Sequence, residues 1–137
     1  DLDNLVRAKG AVYAACQTLL DHVGFTFDMI ERVVITGSFG NYIDIQSAIF
    51  IGLLPDMDPG RICFIKNGSL LGARLATYSA AFITEVEKTA RSMTNFELSE
   101  DPGFMDKYMA AMFLPHTEES LFPNVTAELR KLKGGTA

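Results

Sequence analysis

The sequence predicts an α/β fold in which a short, mostly parallel, buried sheet is flanked by helices. Two observations carry this. Val33-Val34-Ile35 and Ile62-Cys63-Phe64-Ile65 are continuous apolar runs rather than alternating ones, the pattern of strands covered on both faces. Each run leads through a turn, Gly37-Ser38-Phe39-Gly40-Asn41 and Asn67-Gly68-Ser69, into a helical pattern. Right-handed crossovers would set the two strands parallel with both turns at their carboxyl ends. That edge is where open α/β sheets bind ligands.

The elements follow in order. Residues 2–23 read as a long amphipathic helix, with Leu2, Leu5, Val6, Val12, Tyr13, Cys16, Leu19, Leu20 and Val23 near one stripe. Asp1 or Asp3 suits its N-cap and Gly24 its end. Lys9 interrupts the stripe: either its stem covers apolar surface while the ammonium snorkels outward, or it reaches into a ligand cleft. A second helix carries Ile45, Ala48 and Ile49 and stops before Gly52 and Pro55. Leu71, Leu75, Tyr78, Phe82 and Val86 mark one helix running to about Met93. Residues 95–98 are a candidate short strand. Residues 104–113 form a helix whose Met105, Tyr108, Met109 and Met112 read as core filling, or else as an adaptable docking face. Residues 125–133 give a short terminal helix before a disordered tail, dividing the chain into a subdomain over 1–125 and a helix with tail over 126–137.

Composition narrows the function. A chain of 137 residues with 48% apolar and 21% charged residues suits one compact domain and not two full-sized ones. Net charge is -5 and the basic residues are scattered, which argues against a nucleic-acid partner. No uncharged run exceeds 11 residues, whereas a membrane helix needs about 20. Cys16 and Cys63 form no Cys-x-x-Cys pair, and His22 and His116 stand apart, so no metal site is predicted. The cysteines read as small core hydrophobes of a reducing, cytoplasmic compartment, with a single disulfide as the alternative. With no initiator Met and no signal sequence, the chain is expected to be a piece of a longer cytoplasmic protein.

The turn at residues 37–41 is the strongest chemical signal. Gly37 and Gly40 permit close backbone approach of a ligand. Ser38 and Asn41 add hydrogen-bonding groups beside a helix N-terminus, which favours polar or anionic ligands. The same glycines also serve a plain strand-to-helix connection, and neither a P-loop lysine nor a dinucleotide spacing is present. Asp44 and Asp56 are either cleft carboxylates or helix caps. No catalytic residue is identified.

Four segments carry a family likeness: Asp1-Leu2-Asp3-Asn4-Leu5-Val6-Arg7-Ala8-Lys9; Ile35-Thr36-Gly37-Ser38-Phe39-Gly40-Asn41-Tyr42-Ile43-Asp44; Asn67-Gly68-Ser69-Leu70-Leu71-Gly72-Ala73-Arg74; and Phe104-Met105-Asp106 with Phe113-Leu114-Pro115-His116-Thr117. In order and spacing, over about residues 1–125, they resemble the C-terminal part of the ATP-dependent reductive activators of corrinoid proteins. That family sits in the superfamily of sugar kinases, heat-shock chaperones and actin. The resemblance implies a ribonuclease-H-like half of an actin-like ATPase core, present as a truncated fragment. It matches Gly37, Ser38 and Gly40 to the adenosine motif, with Asn41 beside them, and Lys9 to a lysine lining the adenosine pocket.

For the full protein, the resemblance implies ATP with Mg, a [2Fe–2S] cluster in an N-terminal domain outside this chain, and a corrinoid protein as partner. The activity implied is reduction of Co(II) corrinoid to the Co(I) nucleophile of methyl transfer. A homodimer is compatible with it. The chain alone is expected to be inactive. Two alternatives stand beside this: a non-catalytic protein-docking module, and a related activator of a radical dehydratase.

Overall fold

The computed structural model describes residues 1–37 and 42–134. Its elements are α1 (Leu2–His22), β1 (Val33–Thr36), α2 (Ile45–Phe50), β2 (Ile62–Ile65), α3 (Gly68–Tyr78), α4 (Ala80–Ser92), α5 (Phe104–Ala111) and α6 (Pro123–Gly134). Short 3-10 turns stand among the connections, at Phe27–Met29, Pro59–Arg61, Leu98–Glu100 and Glu119–Leu121.

Among the described residues the sheet has two strands, β1 and β2, paired in parallel from Val33↔Ile62 to Thr36↔Ile65. This is the arrangement the two apolar runs predict. Burial, however, alternates along β1: Val33 and Ile35 pack on the core while Val34 is 49% exposed. The core covers one face of the strand and leaves Val34 outside it.

The core comprises Tyr13, Ala48, Ile49, Leu54, Met57, Ile62, Ala111, Phe122 and Val125. It lies between α1, α2, the sheet and the chain from α5 to α6. Helix α6 crosses the 125/126 position, with Val125 in the core and Leu129 packed against it.

Helix α1 ends as expected. Beyond Val23, the Gly24 and Phe25 amides donate to the carbonyls of Asp21 and Leu20, the paired bonds of a Schellman cap. Its buried face differs from the predicted stripe. Lys9, Gly10, Tyr13, Ala14 and Thr18 are buried, whereas Leu2, Leu5, Val12, Leu19 and Val23 are exposed. The reason is close helix packing. A Cβ on Gly10 would lie 3.4 Å from the Ala111 carbonyl, so the small residues Gly10, Ala14 and Ala111 let α1 and α5 approach backbone to backbone.

Four further expectations are corrected. The helix over residues 71–93 is two helices, because the Ser79 hydroxyl accepts the Phe82 amide at 3.2 Å and caps α4. Residues 95–98 form no strand; Phe96 instead lies against His22, ring centroids 4.2 Å apart. Met105 and Met109 are exposed rather than core filling, since α5 turns its opposite face to α1. Cys16 is exposed and Cys63 half-buried, and both are free thiols.

Candidate functional site

The parallel register brings both strand ends to one edge. Beyond the last pair, Thr36 and Ile65, the Gly37 amide donates to the Lys66 carbonyl at 2.9 Å. The ladder therefore persists to the start of the first turn. Gly37 holds φ +107, a conformation that L side chains rarely adopt. Among the described residues, a Cβ there would find nothing within 4 Å.

The second turn lies beside the end of β1. Asn67 accepts the Leu70 amide at 2.9 Å and caps α3. A Cβ on Gly68 would come within 3.2 Å of the Thr36 methyl group, so the start of α3 rests on the end of β1. Both turns thus leave the sheet at the same edge, as the topology argument requires. Ser38, Gly40 and Asn41 lie outside the described residues.

Lys9 does not snorkel. It is wholly buried, and its ammonium donates to the carbonyls of Phe113 and of Pro115, the latter at 2.6 Å. Neither partner belongs to a glycine turn. Burial pulls its pKa down to about 8, which leaves it largely protonated at neutral pH. The Pro115 carbonyl also abuts Gly52, where a Cβ would overlap it. Gly52 follows α2 at φ +78. Three separate parts of the chain, α1, the turn after α2 and the segment after α5, therefore meet at one carbonyl.

His116 completes this junction. It is buried, its Nδ1 accepts the Glu118 amide at 3.0 Å, and its ring lies 5.4 Å from Tyr13 and 6.1 Å from Phe122 between centroids. Burial, and next the Lys9 charge, push its pKa below the usual value, while Glu118 pulls the other way. Burial, together with the negative charges of Glu118 and Asp56, pushes the Tyr13 phenol up. Tyr13 Oη and His116 Nε2 are buried without a hydrogen-bond partner among the described residues.

The two candidate carboxylates are caps. Asp44 accepts the Ser47 amide at 2.8 Å at the start of α2. Asp56 accepts the Asn124 amide at 2.7 Å, its side-chain amide at 3.0 Å and the Val125 amide at 3.3 Å at the start of α6. Among the described residues, no group of three or more His, Cys, Asp and Glu could hold a metal ion. No helix among them is long and apolar enough to cross a membrane.

Sequence reasoning finds Gly37 and Lys9 but misses Gly52, His116 and the Phe113 and Pro115 carbonyls. One signal was present. Lys9 has Leu5, Val6, Val12 and Tyr13 three and four residues away, so a buried Lys9 needs acceptors from elsewhere in the chain.

Comparison with known proteins follows the same lines. A family described as the C-terminal domain of RACo, the ASKHA domain, matches residues 1–126. The corrinoid activation enzyme RamQ of Eubacterium limosum is 39% identical over 109 residues, covering 80% of this chain and 18% of that protein. A solved structure titled reductive activator for corrinoid, iron–sulfur protein superposes with a TM-score of 0.79 at 46% identity, covering 88% of this chain and 19% of that one. The chain spans about a fifth of the length of the relatives it matches.

Proposed function

Because the chain belongs to the family of the C-terminal, ASKHA domain of RACo, we propose that it is part of the nucleotide-binding core of an ATP-dependent corrinoid activator. The activator would return a Co(II) corrinoid protein to Co(I) for methyl transfer. The observation that carries this reading is the shared edge: β1 and β2 end side by side, with no described residue within 4 Å of where a Cβ on Gly37 would project. A glycine at that edge lets a planar ligand approach its main chain closely.

In this reading Gly37, with Ser38, Gly40 and Asn41, lies against the nucleoside. Lys9 acts one step removed, holding the segment through Phe113 and Pro115 against α1. ATP with Mg, when bound, supplies free energy through different affinities for two states of the activator. The role of these residues is to hold the nucleoside in one orientation. The [2Fe–2S] cluster, the electron path and the contact with the corrinoid protein are assigned to the full-length, cytoplasmic protein, and a homodimer is compatible with the assignment.

A second reading has one observation in its favour. Met105, Met109, Phe113 and Leu114 are exposed on and just after α5, an adaptable apolar surface of the kind that docks partners. Calorimetric titration of the full-length protein with ATP separates the two. The nucleotide reading expects Gly37→Val to weaken binding about tenfold or more, and Lys9→Ala to weaken it through the displaced loop. Unchanged affinity in both variants favours the docking module.

A further inference from the structure

Helix α1 turns an apolar stripe away from its own core. Leu5, Val12, Cys16, Leu19 and Val23 follow one another at steps of seven, four, three and four residues, which sets them along one line of the helix. All five are exposed, Leu5, Val12 and Leu19 by 45–48%. At about 100° per residue, the charged Asp3, Arg7 and Asp21 fall on the far side, where Asp21 pairs with Lys107 of α5 at 2.9 Å. A surface helix does the reverse, giving its charges to water and its apolar side to the core. A helix apolar on both sides belongs inside a larger structure.

The stripe has counterparts on other sides of the molecule. Val34 is exposed on the face of the sheet turned away from the core. Helices α3 and α4 hold no buried residue, and their Leu71, Leu75, Ile83 and Val86 are exposed. A twofold contact between two copies covers one self-complementary patch, so it leaves the other surfaces bare. Surrounding polypeptide covers them all, and the relatives this chain matches are several times its length.

We infer that the outer stripe of α1 seats a helix from the remainder of the full-length polypeptide. Steps of three and four residues suit two aligned helices, each apolar side chain entering a gap on its neighbour. Ala8 and Ala15 flank the stripe and let the second helix come close. From Leu5 to Val23 the line runs roughly 27 Å, room for about five turns of that helix. Helix α1 is then a middle layer, with the core on one side and the incoming helix on the other. The inference rests on packing and does not depend on nucleotide binding.

The test is photo-crosslinking in the full-length protein, with p-benzoylphenylalanine placed in turn at Leu5, Val12 and Leu19. The cross-linked product should keep the mass of one polypeptide. Its cross-linked peptides should fall on one segment outside these residues, displaced by about seven positions from one placement to the next. A product of doubled mass would assign the stripe to a second copy and overturn the inference. Absence of a product, or cross-links scattered over unrelated segments, would overturn it too. Where these variants fail to fold, Cys16 of the unaltered full-length protein decides. Iodoacetamide should modify it at least about tenfold more slowly than in urea, at every protein concentration. Modification as fast as in urea, or protection lost on dilution, would sink the inference.

Discussion

The ammonium of Lys9 lies 2.6 Å from the carbonyl of Pro115, 106 residues further along the chain. This bond, with its companion to Phe113, fastens the first helix to the segment between α5 and α6. Lys9 is among the largest fully buried side chains, and it is paired with main-chain dipoles rather than a carboxylate.

Replacing Lys9 by Met therefore keeps most of the buried volume but strands two carbonyls. Each unsatisfied acceptor costs about 1–3 kcal/mol, so Lys9→Met, which strands two, should lower stability by about 2–6 kcal/mol. Urea unfolding of the variant measures this. A loss no larger than that of an exposed-surface change would mean that the two bonds contribute little.

Gly52 tests the other side of the same carbonyl. Gly24 and Gly52 both hold positive φ, +73 and +78, so alanine strains the backbone similarly at each, by about 1 kcal/mol. They differ in surroundings. A Cβ on Gly24 meets nothing within 4 Å, whereas one on Gly52 runs into the Pro115 carbonyl. Gly52→Ala should therefore destabilise the chain by at least about 2 kcal/mol more than Gly24→Ala. Similar melting points for the two variants would show that the Pro115 segment yields freely.

These relationships mark where the sequence was legible. The parallel pairing of β1 and β2 could be read because continuous apolar runs and short glycine turns are local signals, and so could the cap after α1. The buried face of α1 could not be read from its large apolar residues. It is set by the small residues Gly10 and Ala14 against Ala111, more than 90 residues away. The single hydroxyl of Ser79 outweighed the helical periodicity on either side of it. In the candidate site, Gly37 announced itself through its residue type. The true neighbours of Lys9 are main-chain carbonyls, which carry no sequence signature of their own.

His116 should make the fold acid-sensitive. Its pKa in the folded chain lies below the ordinary 6.5, through burial and then the Lys9 charge. The native state therefore favours the neutral ring, whose Nδ1 accepts the Glu118 amide. As pH falls below about 6.5 the unfolded chain takes up the proton first, so this part of the stability is full above that value and is lost below it. Glu118 opposes the shift and Tyr13, its phenol pushed up, stays neutral throughout. In urea midpoints between pH 7.5 and pH 5, on the order of the His titration range, His116→Gln should show a shallower acid slope than wild type. An identical slope would assign the sensitivity to other groups.

Asp56 joins the loop before β2 to the start of α6 through three hydrogen bonds, at 2.7, 3.0 and 3.3 Å. Two of its donors are main-chain amides of the first helical turn, which have no partner within the helix, and the carboxylate also faces the positive end of the helix dipole. Asp44 makes one such bond, to Ser47 at the start of the six-residue α2. Loss of a cap costs about 0.5–2 kcal/mol, so Asp44→Ala should fall near the lower end and Asp56→Ala at or above the upper end. The effect of Asp56→Ala should also be smaller in an Asn124→Ala background, because the Asn124 side chain donates the 3.0 Å bond and neighbouring substitutions couple. Additive losses in the double variant would show that the side-chain bond contributes nothing and that only the main-chain amides matter.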